Sequence, residues 1–371
     1  MNYRHVCIES LGFTLPDEIW SSDDVESRLE PLYSRLKLPA GRLELMTGIR
    51  ERRFWPADVC PSQLSIASCR HAIQAAEIDP AKIGCLIHGS VCRDFLEPAT
   101  ACTVHHHLGL RRDAVIYDVS NACLGVLNGM LQAANMIELG QIEAALVVGS
   151  EGGRQLVETT INALNADQSL TRKSIKDAVA SLTIGSASCA VLLTHSSISR
   201  SGNQLLTASV RANTAWHDLC QSDHDQAGSN FQPLMTTDSN QLMLQGVETG
   251  VETFRDFMSE SGWVVGDIDR TVCHQVGSAH RKLMLDSLLL SVNRDFVTFP
   301  WLGNTGSAAL PVSLAVAAHE GVLKTGEKIA LLGIGSGINC VMIGCNWKSN
   351  VVSGGTWNAA QILKSISASQ P

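Results

Sequence analysis

The hydrophobic positions of this chain fall into short β-rich runs and long apolar helical runs, and the two kinds recur in the same order in each half. The first half reads "IGCLIHGSV" (83–91), then "VIYDVSNACLGVLNGMLQAANMIELG" (115–140), then "QIEAALVVGSEGG" (141–153). The second reads "IDRTVCHQVGS" (268–278), then "FVTFPWLGNTGSAALPVSLAVAAHEG" (296–321), then "GEKIALLGIGSG" (326–337). Strand runs alternating with helical runs predict an α/β fold with crossover connections, and the echo predicts that the fold is duplicated. The helices after Cys123 and after Asn304 are apolar nearly all round and carry the small residues Gly125, Gly129, Ala308 and Ala309. A helix without a polar face is covered on every side, so a five-layer αβαβα core is expected.

Two segments break the pattern. Residues 154–180 read as a helical insertion and 221–240 as a polar loop. The Ser- and Gly-rich tail 348–371, with its short amphipathic piece "TWNAAQILKSI", is expected to be peripheral. The expected units are therefore an N-terminal half, 1–197, with the nucleophile candidate and the insertion, a C-terminal half, 198–347, and the tail. Charge-free stretches at 119–137 and, apart from Glu320 and Lys324, at 296–325 contain Asn, Ser, Gly or Pro, which marks them as buried core elements and not membrane spans.

Composition narrows the function classes. A chain of 371 residues with 45% hydrophobic content can bury a large core. A net charge of −8, with no basic run interleaved with aromatics, argues against nucleic acid and against an anionic membrane surface. Twelve scattered cysteines without a C-x-x-C pair, behind an N-terminus lacking a charged-then-apolar signal, point to reduced thiols and a cytoplasmic location.

The chemistry centres on Cys123. If a helix begins just after it, the helix dipole and free N–H groups are expected to lower its pKa and favour thiolate. His274 falls at the end of the corresponding strand of the second half, and Asn304 in the turn equivalent to that of Cys123. In a duplicated fold those strand ends converge, so a thiol, an imidazole and an amide would meet. The imidazole and amide could then present two donors to a carbonyl oxygen. The "GIGSG" turn (333–337) fits neither a serine-hydrolase nor a dinucleotide motif, and its expected task is to offer an oxyanion N–H. The "HHH" run (105–107) is not expected to bind metal, since adjacent histidines cannot all face one ion from a regular element.

The segments "NACLGVLNG", "HQV", "GNTGSAALP", "TGIRERR" and "GIGSG" resemble the thiolase superfamily, in its ketoacyl synthase III branch. The cues "LEPLYSRL" (29–36), "SVCRDFLEPATA" (90–101), "WHDLC" (216–220) and "GIGSGINC" (333–340) resemble the OleA-type thiolases of long-chain olefin biosynthesis. The resemblance implies a homodimeric acyltransferase that uses coenzyme A thioesters, or carrier-protein thioesters, as substrates and holds no cofactor. It would work beside other enzymes of an olefin pathway. Cys123 would carry the acyl group, His274 and Asn304 would support condensation, and the backbone N–H groups of Cys123 and Ser336 would form the oxyanion hole. Glu97, in "RDFLEP", would reach the partner subunit's site as the base. Joining two simple acyl thioesters needs removal of an α-proton, whereas a decarboxylative synthase makes its carbanion by losing carbon dioxide.

Departures from the synthase pattern are Arg42 and Met46, where a Trp and an Arg usually clamp the adenine, and "IGSASCAVLL" (184–193) in place of a G-D-G-A-type turn. Three other readings stand beside the condensing one: a decarboxylative 3-oxoacyl-acyl-carrier-protein synthase III, a cysteine thioesterase or hydrolase, and a non-catalytic synthase partner.

Overall fold

The structure, a computed structural model, describes residues 1–172, 175, 178–222 and 234–367, with the backbone only for 359 and 365–367. Parts of the expected insertion (173, 174, 176 and 177) and of the expected polar loop (223–233) lie outside the described residues. What precedes them is helical, Arg154–Ala166, as the pattern predicts.

The duplication is visible in strand order. From the seam outward, the first half runs Val6–Pro16, Ala187–His195, Ala144–Glu151, Ile83–His88 and Val115–Asp118. The second runs Gln204–Ala212, Asn339–Asn346, Lys328–Gly335 and Arg270–Cys273. In both halves the first two junctions are antiparallel and the next is parallel. The second half's outermost strand is reduced to a parallel bridge between Thr271 and Asp295. The two halves join edge to edge where Cys7 pairs with Gln204.

Alternation along the strands produces the layers. Cys85 and Ile87, Ala145 and Val147, and Ile329 and Leu331 turn to one core; Leu86, Leu146 and Val148 turn to a second and Ala330 and Leu332 to a third. Such period-two burial on both faces is what a sheet covered by helices on either side requires. The outer layers are the helices Pro61–Ala76 and Thr100–Leu108 on the first half, and Ser239–Ser261 and Ser278–Ser287 on the second. The middle layer is the pair Gly125–Glu138 and Ala309–His319, whose side chains share one cluster with strands of both halves. This is the expected αβαβα core.

The tail departs from expectation. Val352–Trp357 is a strand lying parallel to Val6–Pro16, with Leu11 opposite Val352 and Pro16 opposite Trp357, and Ile362 is buried beside Trp55 and Leu64. The first strand has a free edge beyond the seam, and an edge of unpaired N–H and C=O groups recruits a partner even from a Gly-rich segment. Among the described residues, no helix is long and apolar enough to cross a membrane.

Leu127 of the first central helix is 1% exposed, and a Cβ added at Gly333 of the opposite sheet would lie 2.4 Å from its Cδ1. Leu127→Ala therefore opens a void between layers that close packing cannot refill. It should cost about 2–5 kcal/mol, read as a lower denaturant midpoint at unchanged slope; a shift under about 1 kcal/mol would contradict the middle-layer packing.

Candidate active site

The nucleophile candidate sits on a constrained turn. The strand Val115–Asp118 ends with the Val119 N–H on the His88 carbonyl at 2.8 Å, Ala122 takes a left-handed φ of 45°, and the helix starts at Gly125. A left-handed alanine is unfavourable by about 1–2 kcal/mol, and its surroundings hold it there. Asn121 donates its Nδ2 to Asn128 Oδ1 at 2.7 Å and accepts from Asn339 Nδ2 at 3.2 Å, while that same Asn339 amide meets the Ser336 carbonyl at 3.1 Å. The "GIGSG" turn of the second half is thereby tied to the Cys123 turn of the first. Gly335 permits the approach: a Cβ there would come within 3.5 Å of Cys123 Cβ and 3.1 Å of Leu124 Cγ. On the other side, a Cβ at Gly89 would lie 2.6 Å from the Gly125 carbonyl.

His274 follows the strand Arg270–Cys273, with its N–H on the Leu332 carbonyl at 3.0 Å. Asn304 lies in the turn before the second central helix. Its N–H meets the Thr183 carbonyl, its carbonyl accepts from Gly185, both at 2.9 Å, and its Oδ1 accepts the Gly306 N–H at 3.1 Å. Because a backbone N–H fixes the oxygen end of the amide, Nδ2 is the end left to donate.

Cys123, His274, Asn304 and Ser336 line one cavity of 1920 Å³. The structure thus brings together four of the residues singled out from the sequence. Glu97 is the exception: it is exposed and outside the lining of its own chain's cavity, although Arg93, Asp94, Phe95 and Leu96 of the same loop line it. Met46 also lines the cavity, whereas Arg42 lines a small neighbouring hollow.

The electrostatics correct one expectation. Burial pushes the Cys123 thiol up to about 12, and the charges of Cys220 and Glu151 push in the same direction. Desolvation of the thiolate outweighs what a nearby helix start can offer. Burial also pulls His274 down to about 3, with His280 adding to the effect, and pulls His280 down to about 4. Both imidazoles are neutral at physiological pH, and each keeps an unpartnered buried Nδ1.

Three cavity residues were missed in the sequence: Cys220, His280 and Glu151. Glu151 is 6% exposed yet stands in "GSEGG", which reads as a turn. His280 had only its spacing from His274 to mark it. The triple histidine lies on the helix Thr100–Leu108, with His105 Nε2 on the Arg111 carbonyl at 3.0 Å.

Residues 45–197 match the thiolase N-terminal domain, and residues 258–347 the 3-oxoacyl-[acyl-carrier-protein] synthase III C-terminal domain. The chain is 42% identical over 351 residues to the acyl-CoA:acyl-CoA alkyltransferase of Shewanella oneidensis, spanning 94% of this chain and 100% of that protein. It is 34% identical to the acyl-CoA:acyl-CoA alkyltransferase of Xanthomonas campestris, again over 94% of this chain and 100% of the other. The crystal structure of cerulenin-bound OleA from Xanthomonas campestris is similar at a TM-score of 0.88 and 34% identity, covering 94% of this chain and 98% of that one. The chain belongs to the acyl-CoA:acyl-CoA alkyltransferase (OleA) family of the thiolase superfamily. A 3-oxoacyl-(acyl carrier protein) synthase III, FabH, from Xanthomonas oryzae is similar at a TM-score of 0.87 and 33% identity, covering 94% and 100%. Chains described as OleA and as FabH therefore share this fold.

With the thiol held near 12 beside neutral imidazoles, alkylation of Cys123 by iodoacetamide should keep rising past the ordinary thiol value of 9.0. Rates read by peptide mass spectrometry at stepped pH check this. A plateau below pH 8 would instead reveal a thiolate–imidazolium pair.

Proposed function

We propose that this chain joins two fatty acyl-CoA thioesters by a non-decarboxylative Claisen condensation. The observation that carries the reading is the convergence of Cys123, His274 and Asn304 on one cavity of 1920 Å³, in a chain 42% identical to an acyl-CoA:acyl-CoA alkyltransferase over 94% of its length. Ordinary ligand pockets hold about 300–1,000 Å³, so this one has room for two acyl chains.

In the first step Cys123 Sγ attacks the thioester carbonyl of one acyl-CoA. Its proton passes by way of neutral His274 to the departing coenzyme A thiolate, and an acyl-Cys123 thioester remains. The backbone N–H groups of Cys123 and Ser336 hold the carbonyl oxygen as it becomes negative. In the second step a base takes an α-proton from the second acyl-CoA, and its enolate oxygen is met by His274 and by Asn304 Nδ2. The carbanion attacks the acyl-Cys123 carbonyl, the new carbon–carbon bond forms, and Sγ leaves. Hydrolysis of the resulting β-ketoacyl-CoA releases a β-keto acid and coenzyme A. The steps draw on protein groups, the two substrates and, for the last, a water molecule.

Glu97 supplies the base, delivered from a second subunit. Support comes from its loop, where Val91, Phe95 and Leu96 are 51%, 61% and 52% exposed on one chain; clustered apolar exposure of this kind marks an interaction surface. A homodimer would bury those side chains and desolvate the carboxylate. The twelve free thiols and the acyl-CoA substrates fit a cytoplasmic enzyme, and a β-keto acid product suits consumption by further enzymes of an olefin pathway.

Two outcomes are expected. Purified protein given acyl-CoA alone should form β-keto product and carry one acyl mass on the Cys123 peptide, lost in Cys123→Ala. A protein that ignores acyl-CoA alone but turns over with malonyl carrier protein would be a decarboxylative synthase, and release of free fatty acid without condensation would make it a thioesterase. In addition, Glu97→Gln should acylate Cys123 yet make little β-keto product. His274→Ala and Asn304→Ala should each lose about 2.7–4 kcal/mol of transition-state stabilisation in the condensation step. Normal condensation in any of these variants overturns that residue's role.

A further inference from the structure

We propose that Glu151 is a positioning residue that clamps the loop bearing Glu97 to the turn bearing Asn304, and so sets the geometry of condensation without touching the reacting atoms. The inference rests on the condensing reaction proposed above. Glu151 ends the strand Ala144–Glu151. Its Oε1 accepts the Val91 N–H at 3.0 Å, the Ser307 hydroxyl at 2.5 Å and the Ser307 N–H at 3.3 Å, and its Oε2 accepts the Cys92 N–H at 3.2 Å. Val91 and Cys92 open the segment that runs on to Glu97. Ser307 lies three residues beyond Asn304, and the Gly306 between them both holds Asn304 Oδ1 and packs on the clamp, since a Cβ there would sit 3.2 Å from the Glu151 carboxyl carbon. The Glu151 carbonyl in turn receives the Trp55 indole N–H at 3.1 Å.

One carboxylate thus gathers donors from both halves of the fold, at the rim of the cavity where Cys123 lies. Four donors on two oxygens occupy nearly all of its accepting capacity. A general base instead needs an open oxygen within reach of the proton it removes. The arrangement fits a clamp and not a second base. Its burial also explains why an acid is needed there, because only an acceptor-only group can take two N–H groups, a further N–H and a hydroxyl at one point. Gln at this position keeps the shape, offers one accepting oxygen, and turns two N–H groups toward donors.

The test combines Glu151→Gln, Ser307→Ala and the double variant, each confirmed as folded by circular dichroism. Ser307 is buried and outside the cavity lining, so it can act on catalysis only through the clamp. In Glu151→Gln, condensation should fall roughly ten- to hundredfold, the loss expected for a charge-assisted hydrogen bond, with acylation of Cys123 far less affected. Ser307→Ala should show a smaller loss of the same kind. The double variant should be no slower than Glu151→Gln alone, since both changes break one device. Wild-type condensation in folded Glu151→Gln, or losses that multiply in the double variant, overturns the clamp. If Glu151→Gln does not fold, Ser307→Ala decides: slowed condensation with intact acylation supports the clamp, and no change overturns it. A readout that needs no turnover separates this from failure of the reaction itself. Removing the Glu151 charge beside Cys123 should move the iodoacetamide alkylation profile of Cys123 to lower pH, and an unchanged profile overturns the placement whatever reaction the enzyme performs.

Discussion

A helix packed between two sheets has little surface on which a polar group can meet water, and the rest of this fold follows from that constraint. Gly125–Glu138 and Ala309–His319 are therefore largely apolar and carry small residues where sheets press closest, as at Gly129, where a Cβ would lie 2.6 Å from Val147. Each large side chain buried there contributes about 1.5–3 kcal/mol, so the middle layer is the main source of cohesion between the halves. Polar chemistry can leave such a layer only at the helix ends. The turn with Cys123 precedes one helix and the turn with Asn304 precedes the other, and both open on the same cavity. Duplication therefore assembles a site that neither half contains alone.

The same burial decides the protonation states. A thiol pushed up to about 12 and an imidazole pulled down to about 3 are both neutral at rest, because a low-dielectric surrounding penalises every charged form. A standing thiolate–imidazolium pair, as a cysteine hydrolase would use, is disfavoured here. In the condensation proposed above, the thiol proton would move while the acyl carbonyl is attacked, and the neutral imidazole would then be free to donate to an enolate oxygen.

Much of this was legible in the residues, and the exceptions have physical causes. The unbroken apolar run "AALVVG" and the largely apolar helices disclose the layers, since burial on both faces of a sheet leaves no alternation to read. Cys123, His274 and Asn304 were singled out because the internal echo aligns their turns, and Ser336 because the resemblance implies it; all four line one cavity. The thiol's pKa was misjudged because the local helix end is visible in sequence while the depth of burial around it is not. The strand Val352–Trp357 was overlooked because "VSGGTW" has weak strand character of its own and takes its order from Val6–Pro16, over three hundred residues away. Glu151 drew no notice in the sequence because its four donors come from positions 91, 92 and 307, which no local reading connects.

The placement of the two carboxylates follows from these same energetics. A buried acid is stable only if donors surround it, and one so engaged, as Glu151 is with four donors, is a poor acceptor for a carbon-bound proton. A free base must therefore be kept in water until it is needed and carried in on a segment that is not part of the buried frame. Glu97 meets that requirement: it is exposed on a single chain, on a loop whose apolar neighbours give a second subunit reason to cover it. On the proposed reading, the fold keeps an anchoring carboxylate inside and the base outside, and subunit association would bring that base to a site.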